Sequence, residues 1–177
     1  SCLGGSDGVA VGTVVGFPLG YQDPVIKVAE ARRAQELGAR EIDMVLNVGW
    51  LKEGSHAAVE EEIGAVVAAV RGAPVKVILE TAMLTDEEKV AACALAERGG
   101  ARFVKTSTGF GPGGATAEDV RLLRRAVGNR LGVKASGGVR TLAGALELLA
   151  AGASRLGSSA GVALVEALAD PTPGAPS

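Results

Sequence analysis

The chain has 177 residues, a formal net charge of −2 and 47% hydrophobic residues, but only 3% aromatics. That length suits one domain burying about 70% of its unfolded surface, with a core of Ala, Val, Leu and Ile. Acidic and basic residues are interspersed with no basic patch, which argues against a nucleic-acid partner. The absence of an 18-residue apolar run or a signal peptide predicts a cytoplasmic protein with no membrane segment. Cys2 and Cys93 have no metal-ligand or redox spacing, and with a single histidine, His56, no zinc site is expected. The chain does not begin with Met, which points to a processed or cut N-terminus.

In chain order, Val11 to Gly16 reads as a strand, followed by the loop Phe17-Pro18-Leu19-Gly20. Asp23 and Pro24 supply the N-cap and first position of a helix that Gly38 closes. Glu41 to Asn47 is the next strand, and a helix with Val59, Ile63, Val66, Val67 and Val70 on one face follows. Pro74 to Glu80 is a third strand. Thr85-Asp86-Glu87-Glu88 has the form of a capping box for a helix ending near Gly99. The fourth strand leads into Phe103-Val104-Lys105-Thr106-Ser107-Thr108-Gly109-Phe110-Gly111, and Thr116 and Asp119 start a helix through about Val127. Leu131 to Ala135 is a strand, Thr141 caps a helix to about Ala151, and Ser154 to Gly157 is the last strand. A helix from about Ala160 to Leu168 completes a domain over residues 1–170, with residues 171–177 expected to be a disordered tail.

Gly38-Ala39, Gly72-Ala73, Gly100-Ala101 and Gly152-Ala153 punctuate successive helix ends, and a strand follows each. Apolar strands alternating with amphipathic helices predict an α/β protein with a parallel sheet covered by helices. Six strand–helix units are present, whereas a closed barrel needs eight. The absence of GxGxxG before the first helix weakens a dinucleotide-binding open sheet.

Four strands carry charges: Asp43, Lys76 with Glu80, Lys105, and Lys134. A buried strand-end lysine is costly unless paired or neutral, and the neutral amine is a nucleophile toward carbonyls. The plainer alternative for Lys105 is a side chain that snorkels to solvent. In a barrel, strand ends converge, so Asp43, Lys105 and Lys134 come within reach of one another, either for proton transfer or as a buried ion network. Lys76 sits early in its strand and reads as structural; Glu80 reads as a hydrogen-bonding support. The loops Ser136-Gly137-Gly138 and Gly157-Ser158-Ser159 suit an anion near backbone N–H groups and a helix N-terminus, although Gly and Ser also make ordinary turns.

The segments Thr13–Gly20, Glu41–Asn47, Lys76–Thr81, Phe103–Phe110 and Val133–Arg140, in this order, resemble deoxyribose-phosphate aldolase over about Val11 to Leu168. The resemblance implies a (β/α)8 TIM-type barrel, N-terminally truncated to about six βα units. It also implies reversible, metal-free cleavage of 2-deoxy-D-ribose 5-phosphate to glyceraldehyde 3-phosphate and acetaldehyde. By the same resemblance, Lys105 is the Schiff-base lysine, Lys134 lowers its pKa, and Asp43 works with Lys134 and water in proton transfer. Gly137, Gly138, Gly157, Ser158 and Ser159 match the phosphate site. Phosphosugar and aldehyde substrates and a homo-oligomer (dimer or tetramer) are then expected. Two departures stand out. Ala160 replaces a serine of many relatives, and Ser1 to Gly5 matches only the end of a second βα unit, which predicts a fragment with two unpaired sheet edges. Another phosphosugar lyase or isomerase, or a non-catalytic fragment, is the alternative.

Overall fold

A computed structural model of the chain describes residues 8–169. The strands are β1 (Gly12–Val15), β2 (Glu41–Val45), β3 (Val75–Ile78), β4 (Phe103–Lys105), β5 (Gly132–Ser136) and β6 (Arg155–Gly157). The helices are α1 (Pro24–Glu36), α2 (Val48–Lys52), α3 (His56–Ala69), α4 (Asp86–Arg98), α5 (Ala117–Val127), α6 (Leu142–Ala150) and α7 (Gly161–Ala169). The sequence-expected tail at 171–177 lies outside the described residues.

Helix starts follow their local chemistry. Asp23 accepts a hydrogen bond from the Val25 N–H at 2.8 Å ahead of Pro24, and Thr85 and Glu88 form a complete capping box. Thr116 and Thr141 cap α5 and α6 through their hydroxyl oxygens. One element departs from the expectation: Asn47 does not extend β2 but accepts a hydrogen bond from the Trp50 N–H at 3.1 Å and N-caps the short helix α2. An Asn side chain that satisfies a free helix donor is worth more there than in a strand.

Every pairing is parallel, and the strand order β1-β2-β3-β4-β5-β6 never reverses. An open doubly wound sheet needs a reversal, so this order belongs to a barrel. Side-chain contacts across the interior show the curl directly. Arg155 on β6 meets Glu41 on β2 at 2.5 Å, and Lys134 on β5 meets Asp43 on β2 at 2.6 Å. In a flat sheet, strands four places apart would be separated by roughly 19 Å. The described residues therefore form six adjacent units of a (β/α) barrel, with β1 and β6 at the outer edges of the sheet.

The strand period of two separates two environments. Ile42, Met44, Val75, Val77, Leu79, Val104, Val133 and Ala135 face the helices and join the apolar core with Val59, Ile63, Val66, Leu95, Val120 and Leu123. Val67 is only partly buried beside this cluster. The other face of the strands lines the barrel interior, and there the residues are largely polar. Glu62 on α3 is fully buried and pairs with the equally buried Lys27 of α1 at 2.9 Å. Lys27 also donates to the carbonyls of Gly20 and Val45, so it ties the Phe17–Gly20 loop and the end of β2 to the helix layer. Gly20 has φ +75°, and a Cβ there would collide with the Leu46 carbonyl. Among the described residues, no helix is long and apolar enough to cross a membrane.

Candidate active site

Three strands deliver the predicted trio to one point. Asp43 is central in β2, whereas Lys105 ends β4 and Lys134 lies in β5 as its register partner. The Lys105 Nζ donates to Asp43 Oδ2 at 2.9 Å, and the Lys134 Nζ donates to the same oxygen at 2.6 Å. Lys105 is only 7% exposed, which removes the solvent-snorkelling alternative. Lys76 completes the cluster. Its Nζ donates to Asp43 Oδ1 at 2.8 Å and reaches Glu41 Oε2 at 2.8 Å. Glu41 in turn pairs with Arg155, whose guanidinium lies 4.8 Å from the centre of the Phe103 ring. That ring occupies the space where a Cβ at Gly132 would lie.

Burial and charge set the protonation states. Burial alone would push the Asp43 carboxyl up, but Lys105, Lys134 and Lys76 outweigh it and hold it at about 2. Lys105 is driven below the ordinary lysine value, first by burial and further by Lys134 and Lys76, against the opposing pull of Asp43. Four cations surround two carboxylates in this interior, so loss of one proton from a buried amine relieves repulsion. An uncharged Lys105 amine fixed against an ionised carboxylate can attack a carbonyl carbon.

The rim is braced by hydrogen bonds. Thr106 and Ser136 bond reciprocally across β4 and β5, and the Ser136 hydroxyl donates to the Ser107 carbonyl at 2.7 Å. Glu80, in a left-handed conformation at φ 56°, accepts from the Thr108 hydroxyl and from its N–H. This is the supporting role expected of Glu80. The Glu80 carboxyl lies where a Cβ at Gly111 would project, so a larger residue there would have to displace it. Above this brace, Phe17 and Phe110 meet edge to face at 5.4 Å between ring centres. A cavity of about 380 Å³ opens beside them, lined in part by Leu19, Tyr21, Lys52 and Met83.

The two Gly-Ser loops are brought together. Gly137 and Gly138 both have positive φ, 88° and 77°. The Ser158 hydroxyl donates to the Val139 carbonyl at 2.5 Å and accepts from the Ala160 N–H at 2.9 Å. Ser158 therefore spends its hydroxyl proton tying the loops to each other, while Ser159 is exposed. A cavity of about 420 Å³ lies beside Gly138, with Arg121 and Arg140 in its wall. Among the described residues, no group of three or more His, Cys, Asp or Glu is placed to hold a metal ion.

Reading Lys76 as merely structural missed its contact with Asp43. Alternation along each strand contains the signal: Glu41 and Asp43 share a face of β2, and Asp43 is the register partner of Lys76. The Lys27–Glu62 pair was also missed, because α1 and α3 meet only in the folded protein.

A buried lysine beside a carboxylate at the mouth of a parallel barrel suits covalent carbonyl chemistry. A family model for DeoC/LacD family aldolases matches residues 7–166. The chain belongs to the DeoC/LacD aldolase family. Deoxyribose-phosphate aldolase of Thermococcus kodakarensis is 57% identical over 164 residues, covering 92% of this chain and 73% of that protein. The Listeria innocua enzyme of the same name is 56% identical over 164 residues, with the same coverage of each chain. Among solved structures, an aldolase designated QR15 superposes with a TM-score of 0.88 at 42% identity, covering 91% of this chain and 73% of that one. The tetrameric deoxyribose phosphate aldolase of Aeropyrum pernix gives 0.85 at 35% identity, covering 93% of this chain and 70% of that one.

Proposed function

We propose that the chain is a deoxyribose-phosphate aldolase that cleaves 2-deoxy-D-ribose 5-phosphate reversibly through a Schiff base on Lys105. The observation that carries the reading is the buried Lys105 amine, 2.9 Å from a carboxylate it shares with Lys134. The relatives named deoxyribose-phosphate aldolase, 56–57% identical over 164 residues, support this choice of substrate.

In this mechanism the neutral Lys105 amine adds to the aldehyde carbon of the open-chain sugar. The carbinolamine loses water to give an iminium, which draws electrons from the neighbouring carbons. Removal of the C3 hydroxyl proton lets the C2–C3 bond break; its electron pair enters the iminium and glyceraldehyde 3-phosphate departs. The remaining enamine takes a proton on carbon, and water hydrolyses the resulting iminium to acetaldehyde and free Lys105. Asp43, with Lys134 and water, carries these protons, and no cofactor is required. The phosphate is received by backbone N–H groups around Gly137, Gly138, Gly157 and Ser158 and by the exposed hydroxyl of Ser159. The Ala160 N–H already serves Ser158, so the loop is ordered internally.

A charged, phosphorylated substrate that does not cross membranes freely supports a cytoplasmic activity, and association into a homo-oligomer (dimer or tetramer) is supported by the tetrameric Aeropyrum pernix relative. The test is acetaldehyde with borohydride, followed by peptide mapping. A reduced adduct on Lys105 is expected, and none in Lys105→Leu. An adduct that persists in that variant rejects the assignment of the nucleophile. A panel of deoxyribose 5-phosphate, ribose 5-phosphate and triose phosphate separates this aldolase from another phosphosugar lyase or isomerase.

A further inference from the structure

We propose that Lys76 is a positioning residue for the Lys105 nucleophile: by binding Asp43 Oδ1 it turns Oδ2 toward Lys105 and Lys134, and Glu41 with Arg155 sets how much of its charge reaches them. The inference rests on the Schiff-base reading of Lys105.

Three contacts carry it. Both oxygens of Asp43 are occupied, Oδ1 by Lys76 at 2.8 Å and Oδ2 by Lys105 at 2.9 Å and Lys134 at 2.6 Å. A carboxylate held at both oxygens cannot rotate about its terminal bond, so the acceptor directed at the nucleophile is fixed. The Lys76 side chain is 1% exposed, so bulk solvent screens its charge from its neighbours only weakly. Finally, the contacts continue from Lys76 to Glu41 and from Glu41 to Arg155 at the early end of β6. The interior thus has a charged column running away from the mouth, and its far end touches no reacting group.

The groups facing one another here are Glu41 and Asp43 from β2, Lys76 from β3, Lys105 from β4, Lys134 from β5 and Arg155 from β6. Their signs give opposite predictions for two substitutions. Lys76→Met removes a cation that disfavours protonated Lys105, and it leaves the whole Asp43 charge to the other two lysines. Both effects favour the ammonium form, so the pH needed for imine formation rises. Glu41→Gln leaves Lys76 and Arg155 without their shared carboxylate. More positive charge then reaches Lys105, and the pH needed for imine formation falls.

The experiment measures the initial rate of reductive adduct formation on Lys105 with acetaldehyde and cyanoborohydride across the neutral and alkaline range. The full 177-residue chain and both variants are compared, with near-ultraviolet circular dichroism reporting the fold. The expected midpoint moves up by about 1–2 pH units in Lys76→Met and down by about half a unit or more in Glu41→Gln. In steady state, Lys76→Met lowers kcat while KM for deoxyribose 5-phosphate stays within about twofold, because no phosphate contact changes. A loosened barrel would shift both variants the same way by admitting water. Shifts of the same sign, or unchanged midpoints with Lys105 still labelled, overturn the inference. If Lys76→Met does not fold, Glu41→Gln decides alone: a downward shift supports the proposal, and no shift or an upward one rejects it. Absence of any Lys105 adduct in the parent chain removes the Schiff-base reading, and this inference with it.

Discussion

At the scale of single residues, the proposed Schiff-base chemistry depends on holding one amine uncharged among other cations. Burial is the first cause of the low Lys105 value, and Lys134 and Lys76 follow it. A lowered lysine pKa means more free amine at any given pH, so restoring it moves activity toward alkaline conditions. Lys134→Leu removes a neighbouring cation and also leaves Asp43 Oδ2 to Lys105 alone. Both changes raise the Lys105 pKa. We therefore expect the acidic limb of the kcat/KM profile to move to higher pH, with a rate loss of about 10²–10⁴ if Lys134 has its proposed part in proton transfer. Because burial leads, the shift should be smaller than complete restoration of an exposed lysine. An unchanged limb in pH–rate measurements would assign the tuning to desolvation alone.

At the scale of elements, the joint between α1 and α3 has the largest consequence for stability. Lys27 and Glu62 are both fully buried and lie 2.9 Å apart. Burial drives Lys27 down and Glu62 up, each against the attraction of the other. The pair is therefore not a large source of stability, but either member alone is an uncompensated buried charge. Lys27→Met should destabilise the fold by about 3–5 kcal/mol in urea titration, and the double variant Lys27→Met/Glu62→Leu should recover most of that loss. The single variant also releases the carbonyls of Gly20 and Val45, so it should disturb the Phe17–Gly20 loop at the mouth. A double variant as unstable as the single would show that those carbonyl bonds, rather than the ion pair, govern the joint.

At the scale of the whole molecule, β1 and β6 are the outer strands of the described residues, and α7, which follows β6 and packs on α6, is only lightly packed. None of the residues of α7 is buried, and Val162, Val165 and Leu168 are more than half exposed. Apolar surface beside a free strand edge favours association. Sedimentation velocity on the 177-residue chain should show a concentration-dependent increase in mass. Val162→Ser with Val165→Ser should weaken that association at least about tenfold, roughly 1.4 kcal/mol. Association unchanged by the pair of substitutions would place the contact on another surface, such as the exposed Leu19 and Tyr21 at the mouth.

By itself the sequence determined the order of elements, most helix starts and the identity of the trio. Those features are written locally: an Asx, Thr or Pro at a helix start, a glycine at its end, a lysine closing an apolar run. It missed α2, because Asn47 reads equally well as the end of a strand and as a cap. Only the tertiary structure decided that Asp43 is held from three sides, that Lys76 belongs to its circle, and that the Ser158 hydroxyl is spent on joining two loops. The physical reason is that a strand's period of two tells which residues share a face but not how far the sheet curls. Contacts between β2 and β5, or β2 and β6, exist only once the sheet bends back on itself. Lys105 could be found by reading along one strand; its neighbours Asp43, Lys76 and Lys134 come from three others.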